Sequence, residues 1–289
     1  VPDTGAVRFV GVDLAWGEGT AAKPANETGL CVIDEHGTVQ GAGWARGIEA
    51  VADWILTAVG ESRAIVAVDA PLVVPNATGM REGEKQVGRA YGRWKVSANA
   101  TNQALKWLGG VTLRDRLEEA GAVVVSGRHD PAAQRPRVSL VECYPYTTLV
   151  GMNELGYDDE RPRYKRLPRG VPPVEARAAR AIATDDLIAR LARLDTADPP
   201  LRLASHPVTA ELLTSPTPLA GPAHKHREDL IDAALCAWTA AILHRHGEAR
   251  VQLLGLDSPI DAQDATGRPA VIVAPARPSQ RLPRPGPAG

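Results

Sequence analysis

Short apolar runs in this chain carry an acid at or near their ends. Val10-Gly11-Val12 is followed by Asp13, Val66-Ala67-Val68 by Asp69, and Glu142 lies late in Leu140-Val141-Glu142-Cys143. Continuous apolar runs of this length read as strands buried on both faces of a sheet. A carboxylate at the end of such a strand loses water on folding, and several together repel, so some must take a proton or bind a cation. Two further acids, Asp229 and Asp232, stand three residues apart near the start of the longest apolar helical pattern and therefore share a face. The fold has to give all five a place.

The rest of the pattern predicts an α/β domain. Arg8 to Leu14, Gly29 to Ile33 and Thr38 to Trp44 read as an antiparallel three-strand opening, the last two joined across the turn signal Asp34-Glu35-His36-Gly37. Ile48, Val51, Ile55 and Val59 repeat at helical spacing, which predicts a covering helix over 48–59. A buried strand follows at 64–68. Arg81 to Lys95 has a helical charge pattern interrupted by Gly83, Gly88 and Gly92, each costing about 1 kcal/mol against alanine. Val111 to Ala120 predicts a helix, and Ala122 to Ser126 and Val138 to Tyr144 predict strands. An Ala/Arg-rich helix is expected over 174–194 and a loop over 199–222. Arg227 to His244, apolar on most sides, is expected to pack inside the molecule, followed by short strands at 251–256 and 270–274. From Pro275 onward five prolines and three arginines stand with no acid, which predicts a disordered tail over 275–289. The reading is one domain over 1–274 with a helical and irregular insertion at about 155–222.

Bulk properties exclude little but do so clearly. With 44 % hydrophobic and 23 % charged residues in 289, the chain buries a sizeable core and is not disordered as a whole. The formal net charge of −1 excludes the global basic field of a histone-like binder, so any nucleic-acid contact uses local patches. Cys31, Cys143 and Cys236 each sit in an apolar run, and an odd count so placed points to a reducing compartment. With no signal-like start and no membrane-length apolar stretch, a cytoplasmic location is expected. The pairs His224/His226 and His244/His246 point apart on a helix, which argues against a histidine metal site.

Four segments in order carry a family resemblance: Gly11-Val12-Asp13-Leu14-Ala15-Trp16, Val68-Asp69-Ala70-Pro71, Glu142-Cys143-Tyr144-Pro145 and Asp229-Leu230-Ile231-Asp232-Ala233-Ala234. Together they resemble the family called domain of unknown function 429, described as predicted nucleases of ribonuclease H-like fold. The spaced Asp229-x-x-Asp232-Ala233 also resembles the last motif of RuvC-type junction resolvases. The resemblance implies a ribonuclease H-like mixed sheet with antiparallel opening strands and flanking helices. Asp13 and Asp69 should then lie on adjacent central strands with Asp232 facing them.

The chemistry read from the acids is that of a metal-dependent nuclease. Asp13, Asp69, Glu142, Asp229 and Asp232 form the candidate catalytic set, with Asp13, Asp69, Asp229 and Asp232 as ligands of Mg²⁺ or Mn²⁺. These hard cations prefer carboxylate oxygen and water, and a pair about 3.5–4 Å apart supports phosphodiester cleavage. Arg81, Lys85 and Arg89 recur every four residues and form a candidate stripe for phosphates of DNA or RNA. From Arg161 to Arg180 seven basic residues stand against one acid, with Tyr164 among them, which reads equally as a track for a nucleic-acid backbone or as a solvated, mobile insertion.

Each residue also has a reading without chemistry. Asp13 begins a turn, Asp69 caps a loop, Asp229 meets a helix dipole, Glu142 pairs with an arginine, and the basic stripe is a solvated face. Two other functional classes stay open: an actin-like or sugar-kinase-like phosphotransferase, which needs two such domains, and a non-catalytic interaction module, in which the carboxylates do not converge.

Overall fold

The computed structural model describes residues 6–20, 22–125, 127–128, 136–259 and 262–283. It opens with β1 (Val7–Asp13), a small antiparallel pair β2 (Gly19–Thr20) and β3 (Lys23–Pro24), and the hairpin β4 (Glu27–Asp34) and β5 (Val39–Arg46). Asp34 shapes the hairpin turn, its Oδ1 accepting from the N–H groups of His36 and Thr38 at 2.9 Å. Gly37 supplies the φ of 73° that a side chain resists. Then come α1 (Ile48–Val59), β6 (Arg63–Val68), α2 (Glu82–Tyr91), α3 (Gly109–Glu119), β7 (Val123–Val124), β8 (Val138–Cys143) and α4 (Pro145–Gly151). The second half holds α5 (Pro173–Leu191), α6 (Pro207–Thr214), α7 (Gly221–His246), β9 (Val251–Leu254) and β10 (Ile272–Pro275).

Eight strands form one mixed sheet in the order β5-β4-β1-β6-β8-β10-β9, with β7 also on β8. β1, β4 and β5 are antiparallel, whereas β6 runs parallel to β1 and β8 parallel to β6. This order and sense are consistent with a ribonuclease H-like α/β fold.

The period-two alternation of the strands divides the core into two layers. Val10, Val12, Leu30, Val32, Val66, Val68 and Leu140 pack with α1 and α3. Phe9, Cys31, Ile33, Ala67, Val141 and Cys143 pack with α7 and with residues of α2, α4 and α5. Two glycines let α7 lie directly on the sheet. A Cβ on Gly11 would stand 1.9 Å from the Ala233 carbonyl oxygen, and one on Gly29 would stand 2.1 Å from that of Asp229. Neither backbone yields to such a clash, so glycine at both positions sets the depth at which the acids of α7 meet β1.

Three segments differ from the sequence expectation. The stretch 199–222, expected as loop, contains α6 and the start of α7. Leu203 and Leu212 reach the core from it, and its Pro199 carbonyl accepts from Trp238 Nε1 at 2.8 Å. Scattered apolar residues conceal this because they serve contacts distant in sequence. Of the tail expected over 275–289, Pro275 ends β10 and residues 276–283 pack on the domain. Ala276 and Gln280 are buried, Gln280 Nε2 donates to the Val150 carbonyl at 3.0 Å, and the Leu282 N–H donates to Gln252 at 3.2 Å. Residues 284–289 lie outside the described residues. The strand expected over 122–126 shortens to β7, and Ser126 lies outside the described residues. Among the described residues no helix is long and apolar enough to cross a membrane.

Candidate metal centre

Asp13 ends β1 and Asp69 directly follows β6, its parallel neighbour. Alternation puts Asp13 on the face of Phe9 and Gly11, and Asp69 on the face of Ala67; both therefore look toward α7. From α7, Asp232 completes the group. One carboxylate oxygen from each of Asp13, Asp69 and Asp232 lies within 4.8 Å of the other two. Asp232 is fully buried, Asp13 is 9 % exposed and Asp69 is half-buried, giving the group a side open to solvent.

Glu142 is not part of this group. It shares the parity of Val138 and Leu140 rather than of Val141 and Cys143, which puts it on the opposite face of β8. There it accepts two bonds from the Arg81 guanidinium, at 2.8 and 2.6 Å, and one from the Leu72 N–H at 3.0 Å. Burial pushes the Glu142 carboxyl up, and Arg81 and Leu72 draw it back. The same finding corrects the basic stripe. Arg81 is buried, donating through Nε to Glu84 at 2.8 Å as well as to Glu142, so it offers nothing to a phosphate. Lys85 and Arg89 remain exposed on α2, both beside Glu82.

Asp229 lies next to Asp13 but is closed by a cation of its own helix. The Lys225 ammonium contacts Asp229 and lies 3.2 Å from Glu228 and 3.8 Å from Asp13. Burial and the Asp13 charge push Asp229 up to about 9. Burial and the Asp232 charge push Glu228 up to about 7.

Sequence reasoning missed Glu228, Lys225 and, most consequentially, Tyr164 and Lys165. The Tyr164 hydroxyl donates to Asp232 Oδ1 at 2.5 Å, and the Lys165 ammonium contacts Asp232 Oδ2. The residues just before them are held in place. Trp94 Nε1 donates to the Asp158 carbonyl at 2.7 Å, Arg161 Nε donates to the Lys95 carbonyl at 2.8 Å, and the Arg161 guanidinium lies 4.3 Å from the Tyr146 ring centre. Burial acts to lower the Lys165 ammonium, but Asp232, Asp13, Asp69 and Glu228 outweigh it and hold the group well above the ordinary lysine range. Burial, reinforced by Asp13 and Asp232 and opposed by Lys165, raises Asp69 well above the carboxylate range. Burial raises Asp232 too, against the pull of Lys165. Lys225 and Glu228 had a sequence signal, since both lie one helical turn from Asp229 or Asp232; Lys165 had only its place in a basic run.

The family model described as "Protein of unknown function (DUF429)" matches residues 11–257. The chain belongs to this family. No curated protein and no solved structure matches it. The DUF429 match spans every acid discussed, from Asp13 to Asp232, together with Tyr164 and Lys165.

The group's chemistry fits a divalent ion. Three oxygen donors converge, as hard cations require, and among the described residues Asp13 Oδ2 is buried without a hydrogen-bond partner, the Lys225 ammonium lying 3.8 Å away. Such an atom is costly to leave unpaired. Asp13, Asp69 and Asp232 of this DUF429 member are therefore the residues able to hold a metal.

Proposed function

We propose that this protein is a metal-dependent nuclease that hydrolyses phosphodiester bonds of DNA or RNA, with Mg²⁺ or Mn²⁺ held by Asp13, Asp69 and Asp232. The observation that carries the reading is the convergence of these three carboxylates, two from adjacent parallel strands and one from the helix laid across them. A non-catalytic module gives no reason for that convergence. A phosphotransferase of the actin-like kind needs a second comparable domain, and the described residues form one large sheet and a two-strand pair.

A divalent ion held by Asp13, Asp69 and Asp232 would supply Lewis acidity for hydrolysis at phosphorus. The protein's own groups do the rest. Tyr164 and Lys165 fix the orientation of Asp232, and the Gly11 and Gly29 contacts fix α7 against β1. Beside the loop that follows Asp13, a cleft of about 240 Å³ is lined by Lys23, Lys106, Trp107 and Gly17 among others. Exposed Lys85 and Arg89 offer further positive charge on α2. Lysines beside an aromatic face suit a phosphate chain whose bases stack, which supports nucleic acid as the partner.

The test is incubation of purified protein with end-labelled single-stranded, duplex and branched DNA and RNA, with Mn²⁺ or Mg²⁺. Cleavage of at least one substrate is expected, stopped by EDTA and lowered by about two to three orders of magnitude in Asp13→Asn and Asp232→Asn, the scale of removing one group that stabilises a transition state. No cleavage of any substrate, or cleavage retained in both variants, refutes the assignment.

A further inference from the structure

The acidic group already contains a cation that belongs to the chain. Lys165 comes from the insertion, 67 positions before Asp232, yet its ammonium touches Asp232 and lies in the field of Asp13 and Asp69. Its side chain is only 19 % exposed. Its surroundings suit an ammonium better than a hydrated metal ion. The nitrogen lies 5.2 Å from the ring centre of Tyr146 and 5.6 Å from that of Tyr164, and aromatic faces attract an alkylammonium, whereas Mg²⁺ and Mn²⁺ seek oxygen and keep their waters.

The contact also occupies a donor atom: Asp232 Oδ2 faces the ammonium, so a pair of ions sharing Asp232 would have to displace it. We propose that Lys165 is a built-in second cation of the site, so that Asp13, Asp69 and Asp232 take up one divalent ion rather than two. This rests on the reading that the three aspartates bind metal at all. Lys165 is a positioning residue: it holds Asp232 and fills the place of a second ion.

Counting bound ions tests this without any turnover. Mn²⁺ is titrated into the full chain, and the free ion is followed by its electron paramagnetic resonance signal. One Mn²⁺ per wild-type chain is expected, two in Lys165→Met and one in Lys165→Arg, which restores the charge. Two ions in the wild type overturn the proposal whatever the variants do, so it stays falsifiable if Lys165→Met does not fold. One ion in both wild type and Lys165→Met overturns it as well, while leaving the metal reading intact. Asp13→Asn is the control that separates the two ideas: if it binds Mn²⁺ as the wild type does, the metal reading itself fails and this inference falls with it.

Discussion

Replacing Arg81 by methionine is expected to destabilise the protein by about 3–5 kcal/mol, the cost of removing one partner from a buried ion pair. The expectation comes from how completely Arg81 is used. Its guanidinium bonds Glu142 twice, Glu84 once and the Val73 carbonyl at 3.0 Å. Glu84 in turn accepts from the backbone N–H groups of Arg81 and Thr101 at 3.0 and 3.1 Å. The triad thus ties the loops around 72–81 and 101 to β8. Methionine matches the length of the side chain but leaves two buried carboxylates facing each other. Lysine does not rescue it, because one ammonium cannot reproduce the planar fork that meets both acids. Equilibrium urea unfolding measures the loss. A change below about 1 kcal/mol, or a weaker salt dependence of DNA binding in Arg81→Met with stability unchanged, would return Arg81 to a substrate-binding role.

The second large effect concerns ion-linked stability. Mn²⁺ at about 100 times its dissociation constant is expected to stabilise the wild type by about 2.7 kcal/mol, seen as a raised melting temperature. Asp13→Asn should lose most of that gain, because it removes one of three donors, including the buried Oδ2 that has no hydrogen-bond partner among the described residues. The metal-free variant should melt no lower than the metal-free wild type, since one of the mutually repelling carboxylates is gone. Thermal scans with and without Mn²⁺ check both halves. An equal Mn²⁺-linked gain in the two proteins would put the ion elsewhere.

Much of the frame was legible in the sequence, because it rests on local patterns. The predicted helix over 48–59 coincides with α1, whose apolar residues recur on one face. The run 64–68 falls within β6, and the three antiparallel opening strands stand where the alternation and the Asp34 turn put them. Asp13 and Asp69 were found for the same reason, as charges ending apolar strands.

Glu142 shows where that reasoning stopped short. It was grouped by its place near a strand's end, while the face was decided by parity, and Val141 and Cys143 already held the α7 side. Arg81 was grouped by its spacing with Lys85 and Arg89, yet it precedes α2 with extended backbone and is buried, whereas Lys85 and Arg89 lie on the exposed face of the helix. Tyr164 and Lys165 were hidden for a different reason. They lie in an irregular segment without periodicity, and their meaning comes from contact with Asp232, which no local pattern encodes. The ordered residues after Pro275 were hidden likewise, since a Pro/Arg-rich composition does not reveal that Gln280 caps Val150.

The central claim is that Asp13, Asp69 and Asp232 hold a divalent ion, and a crystal of the protein grown with Mn²⁺ measures this directly. The anomalous difference map should show a peak within coordination distance of one carboxylate oxygen from each of the three residues, with Lys165 still beside Asp232. A map with Mn²⁺ peaks elsewhere on the protein and none between these three carboxylates would contradict it.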